Sequence, residues 1–114
     1  MKRPGKTIWR LFHALLFGLV LSPFARGANG EELFVKNCAS CHGKDGKAQT
    51  PIARKLGVKD LTQCKLSDAE IEKQIVDGKR DDHGKEKMPA FKGRLSDAEV
   101  KSLLAVVKGF RKGP

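Results

Sequence analysis

The clearest periodic signal lies in the second half of the chain, where Leu-Ser-Asp-Ala-Glu occurs twice, at Leu66 to Glu70 and at Leu95 to Glu99. Each copy holds the parts of a helix start. A serine caps, a glutamate three residues on reaches back to the serine N–H, and the preceding leucine can staple onto Ile71 or Val100. The first predicted helix carries Ile71, Ile75 and Val76 to a stop at Gly78. The second carries Val100, Leu103, Leu104 and Val107 at spacings of three and four to Gly109. A third is expected from Asn29, a capping residue ahead of Gly30-Glu31-Glu32, to about Ser40. No stretch alternates as a half-buried strand does, so the pattern predicts an all-α domain with three main helices. Between them, the 21 residues from Gly43 to Gln63 are polar and Lys/Gly-rich, long for a loop in a compact domain. Ile52, Leu56, Val58 and Leu61 are expected to turn inward, with one short helical turn at Ile52 to Lys55.

The apolar run from Leu11 to Leu21 has a different character. Its eleven residues fall short of the ~20 a spanning helix needs. Lys2, Arg3, Lys6 and Arg10 precede it, and Ser22-Pro23-Phe24 followed by the small residues Ala25 and Gly27 end it. This predicts a cleavable secretory signal over residues 1–27 and a mature domain over residues 28–114 in the periplasm, with no stable membrane insertion. A cut after Gly30 competes, but one after Gly27 keeps Asn29 as a cap. An uncleaved membrane anchor is the rival reading.

Length and composition then sharpen the problem. A chain of 114 residues with 39% hydrophobic and 32% charged residues has room for one domain and a modest core. Tyr is absent and the single Trp, Trp9, falls in the expected signal. A domain so small and poor in aromatics needs a disulfide, a metal or a cofactor to add core volume. The net charge of +10 also falls on maturation: 18 basic against 13 acidic residues follow residue 27, a net +5. Without an Arg-rich stripe interleaved with aromatics, this surface suits an acidic protein partner rather than nucleic acid.

Cys38-Ala39-Ser40-Cys41-His42 is C-x-x-C-H, the attachment pattern of a c-type haem. Two thiols on one helical turn reach the two vinyl groups of a porphyrin, and the adjacent histidine comes under the iron. A zinc site would want a second ligand pair, and only Cys64 and His83 remain for it. A thioredoxin-like pair would want a βαβ context, and a plain disulfide gives His42 no purpose. For the sixth iron position the mature chain offers Met88 or His83. Met88 precedes Pro89, which biases it toward extended backbone in a charged loop, and it is the favoured ligand. His83, in Asp81-Asp82-His83-Gly84, reads as a solvated turn residue. Cys64, an odd cysteine, is expected to be buried or inert.

These elements together resemble a small monohaem class I c-type cytochrome of the exported bacterial type over residues 28 to 112. Gly30 to Phe34 running into Asn37 to Gly43 is similar to that family's first helix and haem-binding loop, Met88-Pro89-Ala90-Phe91 to its ligand loop, and Leu95 to Phe110 to its last helix. The resemblance implies that the Pro51 carbonyl accepts the Nδ1 proton of His42. Where the family has an aromatic facing the first helix, this chain has Val106, so that contact is weakened or passes to Phe110. The implied function is soluble one-electron transfer by a monomer, with Cys38, Cys41, His42, Met88 and Pro51 binding one covalent haem c and His42 and Met88 ligating its iron. Redox proteins with acidic docking surfaces are the implied partners, met by a rim of Lys36, Lys44, Lys47, Lys85, Lys87 and Lys92. Arg54 is a candidate for pairing a haem propionate. The alternatives are a haem subunit of a larger oxidase or dehydrogenase, and a ligand-binding haem protein with a displaceable sixth ligand.

Overall fold

The computed structural model describes residues 29–111, so the expected signal over residues 1–27 and the last three residues lie outside it. The order is α1 (Gly30–Asn37), α2 (Ala39–His42), α3 (Pro51–Leu56), a 3-10 turn at Leu61–Gln63, α4 (Asp68–Asp77), β1 (Lys79–Arg80), β2 (Glu86–Met88) and α5 (Asp97–Arg111). Both capping boxes form. Ser67 Oγ accepts the Glu70 N–H at 3.3 Å while Glu70 returns a carboxylate to the Ser67 N–H at 2.7 Å, and Ser96 with Glu99 does the same at 3.2 and 2.8 Å. The side chain of Asn29 accepts from the N–H groups of Glu31 and Glu32, starting α1 where its capping chemistry predicts.

Three details differ from expectation. The first helix breaks at Cys38, whose φ of −122° and ψ of −34° separate α1 from α2. Gly109 does not stop α5, which runs to Arg111; beyond the glycine Phe110 packs on Phe34 and Arg111 donates to the Leu66 carbonyl at 3.0 Å, so tertiary contacts hold the last turn. An antiparallel hairpin, β1 with β2, also forms where no alternation announced a strand. Its strands are too short and polar to show a period of two.

The core joins Phe34 of α1, Ile71 and Ile75 of α4, and Val100, Leu103 and Val107 of α5, with Ala39 and Phe91 beside them. Leu103, at 1% exposure, is its centre. The α1–α5 crossing depends on Gly30, where a Cβ would lie 2.6 Å from the Ser102 carbonyl oxygen and 3.0 Å from Val106. The aromatic contact between these helices falls to Phe110, which meets Phe34 edge to face at a centroid distance of 5.1 Å. Phe110 also covers the backbone of Gly46, where a Cβ would come within 2.8 Å of its ring. One ring thus ties α1, α5 and the loop after α2. Phe110→Ala should cost about 3 kcal/mol, the low end for phenylalanine truncation because the ring is partly exposed; the midpoint of urea unfolding measures it, and Phe110→Leu should lose clearly less.

Candidate functional site

The C-x-x-C-H segment closes one helical turn. The Cys38 carbonyl accepts from the His42 N–H at 2.9 Å and the Cys41 N–H at 3.2 Å, and the Ala39 carbonyl from Gly43 at 2.8 Å. Residues three apart on a turn share a face, and Cys38, Cys41 and His42 all line one cavity of about 760 Å³. That volume lies within the range of cofactor sites. Thr50, a residue sequence reasoning passed over, fastens the turn from outside: its hydroxyl donates to the Cys41 carbonyl at 2.9 Å and accepts the Ala53 N–H at 3.0 Å, capping α3. The Ala48 N–H reaches the His42 carbonyl at 2.8 Å.

His42 Nδ1 is buried without a hydrogen-bond partner. Burial pushes the imidazole below its ordinary pKa, opposed in part by the backbone of Lys59, so the ring is held neutral. The bond to the Pro51 carbonyl implied by the resemblance is therefore not formed. Pro51 is the exposed first residue of α3, and a carbonyl at that position points along the helix axis toward the residue four ahead. All three cysteines are unpaired. Burial, with Cys41 as the lesser cause, pushes the Cys38 thiol up to about 11, opposite to the stabilised thiolate of a thioredoxin-like pair. Among the described residues no three His, Cys, Asp or Glu side chains converge on a metal-ion site, so the donors do not support the zinc reading.

Met88 is half-buried at the end of β2 and lines the same cavity. The chain after it is bound to α4, with the Phe91 N–H on the Ile75 carbonyl at 3.1 Å and the Lys92 N–H on the Val76 carbonyl at 3.0 Å. Gly78, at φ +70°, is its seat: a Cβ there would lie 2.5 Å from the Met88 carbonyl oxygen and 2.7 Å from the Ala90 nitrogen. The Gln74 amide lies 3.9 Å from the Met88 sulfur. His83, the other candidate ligand, is exposed in the turn between β1 and β2 and does not line the cavity.

Leu56, Val58 and Leu61 line the cavity as expected. Ile52 does not: it is 43% exposed while Ala53 turns inward, because the short α3 presents only one narrow stripe to the fold. Arg54 is exposed and away from the cavity, which Arg80 lines instead. The basic rim is also redrawn. Lys59, Lys65, Lys79 and Lys87 line the cavity, whereas Lys36, Lys44, Lys47, Lys85 and Lys92 do not, since nearness in sequence to a ligand does not fix the direction of a side chain. Cys64, remote in sequence from the other cysteines, is half-buried on this wall too.

Residues 25–105 match the family described as cytochrome C oxidase, cbb3-type, subunit III. The cytochrome c6 of Nostoc sp. is 34% identical over 109 residues, covering 88% of this chain and 92% of its own. The cbb3-type cytochrome c oxidase subunit FixPc of Rhizobium leguminosarum bv. viciae is 36% identical over 97 residues, 82% of this chain but 32% of that subunit. The solved structure of the KustC0563 c-type cytochrome superposes with a TM-score of 0.64 at 36% identity, covering 73% of this chain and 98% of that one. The chain belongs to the cytochrome c family, as a small class I c-type cytochrome with the fold of that class. Its cofactor is one covalently bound haem c, and it is an electron-transfer protein rather than an enzyme. The residues fit that cofactor: two free thiols on one face, a neutral buried imidazole with an orphaned nitrogen, and a thioether share one largely apolar cavity. Gly78→Ala should destabilise the fold by more than Gly57→Ala in urea unfolding. Both need positive φ, which costs about 1–2 kcal/mol for alanine, but only Gly78 has a backbone wall against its Cα while Gly57 faces open space.

Proposed function

We propose that this protein is a soluble, monomeric periplasmic one-electron carrier in which Cys38 and Cys41 hold the haem by thioethers and His42 and Met88 are its axial ligands. The observation that carries the reading is that all four side chains line a single cavity. When bound, the haem supplies a one-electron Fe(III)/Fe(II) couple. The protein's own residues supply the rest. The Cys38–His42 turn presents two thiols and one imidazole from a single hydrogen-bonded unit, so attachment and ligation share one geometry. Burial keeps His42 neutral and able to donate a lone pair. Met88 would supply a thioether to the iron, a ligand that raises the potential of the couple. Leu56, Val58, Leu61 and Phe91 line the cavity and would give a bound haem an apolar shell.

In this reading residues 1–27 are an export signal and residues 28–114 the mature carrier. Among the described residues no helix is long and apolar enough to cross a membrane. The cavity rim of Lys59, Lys65, Lys79, Arg80 and Lys87 is the docking face for an acidic redox partner. A second reading, a haem c domain working with a cbb3-type terminal oxidase, is favoured by the family description and by the similarity to FixPc. Isolation from native membranes and periplasm separates the two: a carrier is recovered free, a subunit with its oxidase.

Met88→Ala should give a high-spin ferric spectrum and a lower reduction potential with haem still covalently bound, while His83→Ala should leave the spectrum as it was. The reverse pattern would reassign the ligand. Electron transfer to an acidic partner should slow as ionic strength rises, because the field of the rim is screened within ~8 Å at physiological salt. Lys65→Glu, Lys79→Glu and Lys87→Glu should each slow association more than Lys44→Glu or Lys101→Glu. Rates indifferent to salt and to the rim variants would leave docking to apolar contacts.

A further inference from the structure

We propose that Asp81 is a positioning residue for Met88: its carboxylate closes the turn between β1 and β2 and so fixes the register in which β2 delivers the thioether to the cavity. This rests on Met88 as the axial ligand and goes beyond it by naming what keeps the ligand in place.

Met88 is held differently on its two sides. After it, the chain is bonded to α4 through Phe91 and Lys92 and seated on Gly78. Before it lies a hairpin of two residues paired with three, Lys79 opposite Met88 and Arg80 opposite Glu86, with a register irregularity between the two pairs. So short a hairpin is marginal alone. Its turn is organised around one side chain. Asp81 Oδ1 accepts the N–H of His83 at 3.0 Å and the N–H of Lys85 at 2.9 Å. The Asp81 N–H donates to the Lys85 carbonyl at 2.9 Å, and the Asp81 carbonyl accepts from Gly84 at 2.9 Å. Gly84, at φ +76°, supplies the reversal. Hydrogen bonds to a carboxylate are stronger than those between neutral groups, and these two converge on a single oxygen. The other oxygen lies 3.8 Å from Lys87 Nζ, the residue before the ligand.

The consequence follows from the period of a strand. A slip of one residue in β2 would turn the Met88 side chain to the opposite face. Before Met88, the other side-chain contact between the strands is a weaker guard: the Arg80–Glu86 pair, at 3.9 Å, is exposed. Arg80 Nη1 does reach the Gly84 carbonyl at 2.8 Å, but only by bracing the turn that Asp81 has closed.

The test uses the haem-loaded ferric protein and imidazole as a competing ligand. At saturating imidazole the binding rate reports how often Met88 leaves its position. Asp81→Ala should raise that rate by at least about tenfold, as expected for the loss of hydrogen bonds to a charged group. Asp81→Asn keeps an oxygen acceptor for both N–H groups but loses the charge, and its rate should fall between those of the unaltered protein and Asp81→Ala. In the unaltered protein the amide hydrogens of His83 and Lys85 should exchange slowly with solvent, a measurement that stands even if a variant fails to fold. An unchanged imidazole rate in Asp81→Ala, equal rates in Asp81→Ala and Asp81→Asn, or unprotected His83 and Lys85 amides would each overturn the proposal. The far-red absorption of thioether-ligated ferric haem separates the two levels of inference. If the unaltered protein lacks it, the ligand assignment fails; if it is present and Asp81→Ala changes nothing, only the role of Asp81 fails.

Discussion

A cavity of about 760 Å³ in so short a chain is the constraint on which the rest of this structure depends. Protein interiors are packed as densely as organic crystals, and a small domain has little apolar surface to spare. The core residues that touch one another, from Phe34 through Ile71 and Ile75 to Leu103 and Val107, occupy one side of the fold. The other side is a shell of short elements and loops whose apolar side chains face a space they do not fill. Leu66, the residue before the Ser67 cap of α4, illustrates this: it is 37% exposed and lines the cavity. The haem of this family is therefore a large part of the core as well as the redox group.

That constraint explains the division of labour among the helices. The crossing of α1 and α5, with Gly30 admitting the Ser102 backbone and Phe110 bridging Phe34 and Gly46, forms a rigid frame with little room for adjustment. The C-x-x-C-H turn follows directly from α1, so the frame sets the position of Cys38, Cys41 and His42. Met88 arrives by a longer route, through α4, Gly78 and the hairpin. Its position depends on backbone hydrogen bonds to α4 and on Phe91, which packs in the core with Ile71 and Ile75.

The electrostatics follow the same geometry. Burial holds His42 neutral and the Cys38 thiol protonated, the states in which an imidazole can ligate and a thiol stays unreactive toward disulfide exchange. Charge is kept to the rim, where Lys59, Lys65, Lys79, Arg80 and Lys87 surround the cavity while Asp81 offsets part of that field beside Lys87. Asp68, close in sequence to the rim residue Lys65, instead joins the start of α4 to the end of α5 through Lys108 and Arg111. Similar residue types thus surround the cavity in one place and join helices in another.

What could be read from the chain alone were features set by residues within four positions of one another. The capping boxes at Ser67 and Ser96, the Asn29 cap, the stop at Gly78 and the turn that puts Cys38 and Cys41 on one face are local hydrogen-bond problems with local solutions. The α1–α5 aromatic contact was legible as a choice between Val106 and Phe110 only through the family resemblance, and the structure gives it to Phe110. Tertiary structure decided the rest. The hairpin was invisible because its strands are short and polar, and its pairing is enforced by a turn and by α4 rather than by alternation. Ile52 faces out and Ala53 in because α3 docks through the Thr50 hydroxyl, a contact nine residues away at Cys41. Which lysines ring the cavity, and that Cys64 shares its wall, depended on how the loop from Gly43 to Gln63 folds over a space whose shape no local pattern encodes. Local hydrogen bonds specify where elements begin and end; only packing around a common cavity specifies which of their side chains face it.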